Sequence, residues 1–99
     1  MTEEHGLENK EIHQEQRAIS LSSMKPGQKG TVAGVKESGG VSRRLLEMGI
    51  VPGVAIKFVK TAPFGDPCEV RVLDCNLAIR KREAELIEVF LEELPIAFS

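Results

Sequence analysis

Side chains able to do chemistry are few in this 99-residue chain: two cysteines, two histidines and some clustered bases. The spacing of Cys68 and Cys75 matches neither a CxxC pair nor a zinc-finger half-site. Cys68 shares a strand parity with Val70 and Val72 and reads as a core thiol, because free cysteine is among the most buried residue types. Cys75 falls at a turn, on the opposite parity. His5 and His13 lie in a polar leader and are not at i, i+4, so they do not present a helical metal pair. Cys75, Asp74, His5 and His13 are the one candidate set for Fe(II) or another divalent transition metal, and their spacing gives it no support. No GxxxxGK[ST], GxGxxG or GxSxG pattern occurs. A nucleophile needs a base held beside it by packing, and no histidine follows His13. The inventory argues against an enzyme and calls for no cofactor.

The remaining candidates are charged or apolar and would act by contact. Arg43-Arg44 and Arg80-Lys81-Arg82 form two basic clusters. Their bland reading is a solvated face; their functional reading is a surface that seeks an anion or an acidic protein. RNA is one such anion, but single-strand binding draws on aromatic stacking. With no Trp or Tyr and four Phe, an acidic protein surface fits better.

The elements that must carry these residues follow from periodicity. Residues 1–18 are polar, with isolated Leu7 and Ile12, and read as a flexible or weakly helical leader. A domain over residues 19–91 follows, then a tail over 92–99. Gly30–Val35 is short and β-branched, hence a strand, and Gly34 within it suggests a bulge. Val41, Leu45 and Met48 recur at i, i+4, i+7 and predict one helix, closed by Gly49 in the left-handed cap position. Leu46 widens its stripe, and four apolar residues on two turns cannot all point inward, so Leu46 or Met48 is expected at the rim. Val54, Ile56 and Phe58 alternate with Ala55, Lys57 and Val59, and Cys68, Val70 and Val72 with Glu69, Arg71 and Leu73. These predict two strands joined by the turn Pro63–Pro67. Asp74-Cys75-Asn76 reads as a turn into a strand over Leu77–Arg80. Lys81–Leu86 reads as one helical turn, and Ile87–Phe90 as a last strand. About five short strands with one short helix after the first long strand predict a mostly β, strongly bent small barrel.

Length and charge bound the rest. Ninety-nine residues make one domain with little room for both a core and a deep pocket. No eighteen-residue apolar run occurs, so no membrane insertion is expected, and the acidic polar start is unlike a secretory signal. A cytoplasmic chain with reduced thiols is the expectation. The net charge of −2 conceals a pattern. Glu3, Glu4, Glu8, Glu11 and Glu15 outweigh Lys10 and Arg17 over residues 1–20. Eleven bases outweigh five acids over 21–82. Five glutamates and no base fill 83–99. The basic middle is a candidate contact surface that the acidic ends would screen. Leu91, Leu94, Ile96 and Phe98 are more apolar than a solvated tail requires and would dock on this domain or on another copy, so a homo-oligomer is open.

The string Arg43-Arg44-Leu45-Leu46-Glu47-Met48-Gly49-Ile50-Val51-Pro52-Gly53 resembles the signature of the FeoA family, small bacterial proteins of ferrous-iron transport. Lys25-Pro26-Gly27 upstream, and Ala62–Pro67 and Leu77–Ala84 downstream, agree in order and spacing. The resemblance spans roughly residues 19–91. It implies an SH3-like β-barrel and a non-enzymatic cytoplasmic accessory role, with the cytosolic region of the FeoB membrane transporter as partner; the near-balanced charge and the lack of Trp and Tyr give no expectation of nucleic acid. It carries over no functional residue. Arg43, Arg44, Leu46, Met48, Arg80 and Arg82 are the candidate partner-binding residues from the chain's own pattern. Two alternatives remain at this level: a small RNA-binding barrel resembling KOW domains, and a metal-sensing SH3-like domain related to the C-terminal domain of iron-dependent repressors.

Overall fold

Period-two alternation organises the middle of the chain much as the sequence predicts. The structure, a computed structural model, describes residues 17–92. The strands are β1 (Ala18–Ser20), β2 (Lys29–Val35), β3 (Ala55–Thr61), β4 (Cys68–Val72), β5 (Cys75–Ile79) and β6 (Ile87–Leu91), with helices α1 (Gly39–Glu47) and α2 (Lys81–Ala84). They form one antiparallel sheet in the order β1-β6-β2-β3-β4-β5. Two expectations need correction. There are six strands rather than about five, because Ala18–Ser20 pairs with Phe90, Val89 and Glu88 of β6. The sheet also does not close into a barrel by strand pairing, since β1 and β5 are its two edges. A 3₁₀ turn over Leu21–Ser23 carries the chain inward from β1, and the Ser20 hydroxyl donates to the Ala84 carbonyl at 3.1 Å. The end of β1 is thus tied to α2 by a single side-chain bond rather than by a ladder.

The core lies on one face of the sheet. Ile56 and Phe58 of β3, Cys68, Val70 and Val72 of β4, Ile79 of β5, and Ile87 and Val89 of β6 are buried, together with Leu21, Leu45, Ile50 and Ala84. Register shifts between Val32 and Gly34 and between Phe58 and Lys60 interrupt the ladders. Such irregularities increase local twist and bend a sheet. Close backbone approach explains Gly30 where β2 meets β6: a Cβ there would lie 2.5 Å from both the Phe90 carbonyl oxygen and Val89 Cγ1.

Helix α1 starts two residues before the expected Val41, and this changes its inward face. Leu45 is fully buried as predicted, but Val41 is exposed and Ser42 takes the inner position one turn earlier. Ser42 is satisfied there. Its Oγ accepts from the Ser38 N–H at 3.1 Å and donates to the Gly39 carbonyl at 3.0 Å. The helix ends as the sequence predicts. Gly49 has φ 101°, the Gly49 N–H donates to the Leu46 carbonyl at 3.0 Å, and the Ile50 N–H reaches back to the Leu45 carbonyl at 3.1 Å. This is a Schellman cap, and it buries Ile50 against the same core as Leu45.

Candidate partner-binding site

The six candidate contact residues fall on two helical segments that lie against each other. Arg43, Arg44 and Leu46 belong to α1 and Met48 caps it; Arg80 and Arg82 flank and begin α2. Helix α1 packs on α2, so the fold brings the two basic clusters together. Arg43, Arg80 and Arg82 are exposed, Leu46 is 43% exposed, and Met48 is partly buried against the core. Leu46 is therefore the residue at the rim; Val41 and Val51 are exposed as well.

Arg44 departs from the solvated-cation reading. Its guanidinium forms a hydrogen-bonded ion pair with the Glu83 carboxylate, whose side chain is only 7% exposed against 54% for Arg44. The other Glu83 oxygen, Oε1, accepts the Arg80 N–H at 2.9 Å and so caps α2. Glu83 thereby joins the start of α2 to the last turn of α1. Sequence reasoning missed this residue. The available signal was a glutamate at the third position of a helix, where a carboxylate caps the first turn; no spacing pointed to Arg44 thirty-nine residues away.

The turn between β3 and β4 completes the edge of this region. Asp66 Oδ1 accepts the Lys81 N–H at 2.9 Å, which docks the turn on α2 from outside the helix. Asp66, Arg80, Lys81, Arg82 and Glu85 line an open cleft of about 540 Å³. Three cations and two anions give it a basic excess without a buried reactive group. Phe64 at the tip of the turn is 97% exposed.

The thiols occupy unlike environments. Cys68 is buried, and burial pushes its thiol above the ordinary value of 9.0, with its own backbone hydrogen bond acting against the shift and the Asp66 charge adding to it. Cys75 is exposed, and it opens β5 rather than lying within a turn; the turn is Leu73-Asp74. Among the described residues no group of three or more His, Cys, Asp and Glu side chains could hold a metal. His5 and His13, like the leader up to residue 16 and the tail from residue 93, lie outside the described residues.

Residues 19–90 match the model of the FeoA domain family. The chain belongs to the FeoA family. A fusion protein of Porphyromonas gingivalis, described as Fe(2+) transport protein A joined to the Fe(2+) transporter FeoB, is 38% identical over 73 residues, 74% of this chain. The match spans only 9% of that much longer relative. Among solved structures, the FeoA-like protein of Clostridium acetobutylicum is 32% identical with a TM-score of 0.74, covering 84% of this chain and 98% of its own. The FeoA of Stenotrophomonas maltophilia, solved with zinc and described as a procaryotic SH3 domain protein, is 28% identical with a TM-score of 0.67, covering 76% and 96%. FeoA is a family of ferrous-iron transport, with an SH3-like fold and small accessory domains rather than known enzymes. No helix among the described residues is long and apolar enough to cross a membrane.

Proposed function

We propose that this FeoA domain is a non-enzymatic cytoplasmic accessory module that binds the cytosolic region of a FeoB ferrous-iron transporter and modulates it through protein–protein contacts. The observation that carries this reading is the fusion relative, in which a matching segment and a FeoB transporter share one chain. A covalent link converts binding into an intramolecular event at high effective concentration. Where a FeoA domain is not fused to its transporter, that association rests on its own surface. The surface best suited to it is the exposed side of α1 with the adjoining start of α2. Arg43, Arg80, Lys81 and Arg82 supply charge, and Leu46 with Val41 supplies apolar area at its rim. Arg44 and Glu83 hold the two helices in register beneath it. Cationic contacts of this kind weaken with salt because exposed charges are screened.

The test is calorimetry and NMR shift mapping of the full chain against the purified cytosolic region of FeoB, with and without guanine nucleotide. Micromolar binding that perturbs Arg43, Leu46 and Arg80, and that is lost in an Arg43→Glu/Leu46→Glu variant of unchanged melting temperature, is the expected result. No heat and no shifts in either nucleotide state, with normal iron uptake in a strain lacking the protein, would overturn the reading.

A further inference from the structure

Backbone groups without partners concentrate on the outer edge of β5. Strand β5 ends the sheet. Val72 and Cys75 flank the two-residue turn Leu73-Asp74, so they form the hydrogen-bonded pair that closes the hairpin. The alternation then makes Val70–Leu77 and Cys68–Ile79 hydrogen-bonded pairs as well. The N–H and C=O of Asn76 and Ala78 must point away from β4. Among the described residues they bond to nothing. Natural edges are blunted by charges, proline or bulges. The sequence Cys75-Asn76-Leu77-Ala78-Ile79 has no charge and no proline, and its register with β4 runs without a shift.

We propose that two copies of this chain pair antiparallel along β5 about a twofold axis at Leu77, continuing the sheet from one molecule into the next. This goes beyond binding to a transporter and does not depend on it. Pairing along the whole strand selects the register, and the charges agree with it. Glu69, Arg71, Asn76 and Ala78 share the face of the hairpin opposite the core, and the Asn76 amide bridges Arg71 Nη1 at 2.8 Å and Glu69 Oε2 at 2.5 Å. An axis at Asn76 would set rows of Arg71–Asn76–Asn76–Arg71 across the junction. An axis at Ala78 would set Glu69–Ala78–Ala78–Glu69. Each places like charges at both ends. An axis at Leu77 gives rows of Arg71–Asn76 in one copy followed by Ala78–Glu69 of the second copy, with opposite charges at the two ends. It also pairs all five residues of the strand, uses the free groups of both Asn76 and Ala78, and brings exposed Asp74 beside Arg80 of the second copy. On the core side, half-buried Leu77 meets its own counterpart, and exposed Cys75 meets Ile79 of the second copy. The other sheet edge, β1, is only three residues long and offers less.

The full chain should be followed by sedimentation and by amide hydrogen exchange over a concentration series. The expected mass rises from one 10.9 kDa chain towards two, and exchange at the Asn76 and Ala78 amides slows in step. Ala78→Pro should remain monomeric with an unchanged fold, because the lost N–H faces away from β4. On a Cys75→Ser background, Leu77→Cys should form an intermolecular disulfide on oxidation, since a non-hydrogen-bonded pair brings Cα atoms to about 4.5 Å. Ala78→Cys on the same background should not, its counterpart lying two residue steps along the junction. A chain that stays monomeric at millimolar concentration overturns the proposal. So does a dimer that survives Ala78→Pro, or protection of both amides in dilute solution, which would mean that a segment of the same chain covers β5. Should Ala78→Pro fail to fold, the exchange series on the unmodified chain and the cross-linking pair decide alone.

Discussion

Replacing Arg44 by methionine separates a structural role from a contact role. Glu83 is nearly enclosed, with 7% of its side chain exposed, while Arg44 is 54% exposed. Removing one partner of a fully buried ion pair costs about 3–5 kcal/mol because a charge is left uncompensated. An exposed pair contributes about 0–1 kcal/mol. Here the carboxylate is inside, the guanidinium is at the rim, and the Arg80 N–H remains on Glu83 Oε1. The expected loss for Arg44→Met therefore lies between these limits, at about 2 kcal/mol. For a domain of this size that lowers Tm by about 10 °C. Urea and thermal unfolding of Arg44→Met, Glu83→Gln and the double variant give the coupling between the two sites, expected at about 1–2 kcal/mol. Arg43→Met is the control on the adjacent, exposed residue and should stay within about 0.5 kcal/mol of the parent. If Arg44→Met were as mild as Arg43→Met, with no coupling to Glu83, the pair would not hold α1 against α2 and Arg44 would revert to a free surface cation.

Other positions yield outcomes of different kinds. Gly30→Ala should destabilise the fold by more than about 2 kcal/mol in chemical denaturation, since its Cβ meets the β6 backbone and overpacking of a fixed site is costly; a neutral effect would mean that β6 moves freely at Phe90. The buried Cys68 thiol has a raised pKa, so the unfolded chain loses its proton first as pH rises. That contribution to stability is complete below pH 9 and is lost above it, and a Cys68→Ala variant should show a flatter alkaline limb in Tm against pH. Removal of residues 1–16, which leaves β1 whole, should strengthen FeoB binding at low salt and change nothing at high salt; equal affinity at low salt would mean that the acidic leader does not screen the basic surface.

Local signals survived folding where the chemistry was local. Alternation placed Ile56, Phe58, Cys68, Val70 and Val72 on the buried face, because a strand's period is fixed by its pleat. Gly49 and Gly34 marked the helix cap and the β2 irregularity, since each answers to backbone geometry within a few residues. Features set by distant partners were not legible. Strand β1 is three residues long and becomes a strand only because β6 pairs with it. Val41 fitted the helical period yet is exposed, because α1 begins at Gly39 and the serine of its first turn is satisfied by Ser38 and Gly39. Openness of the sheet was equally hidden: strand count predicts a curved sheet, but closure depends on whether the first and last edges meet. The role of Arg44 needed Glu83, and no periodicity links residues that far apart.

Arg80 is placed in both proposed surfaces, and this makes them separable. In the proposed transporter-facing surface it is grouped with Arg43 of α1, the helix that packs on α2. At the β5 junction it faces Asp74 of a second copy. Arg43 belongs to the first surface alone, since α1 contributes no residue to the β5 edge. The two associations therefore compete for one guanidinium while sharing nothing else. FeoB binding should weaken as the chain is concentrated into dimers, and Ala78→Pro should abolish that dependence without altering the affinity measured in dilute solution. Asp74→Asn should weaken the dimer and leave dilute FeoB binding untouched, whereas Arg43→Glu should do the reverse. Equal FeoB affinity for monomer and dimer would place Arg80 outside one of the two surfaces, and the pair of single variants would show which.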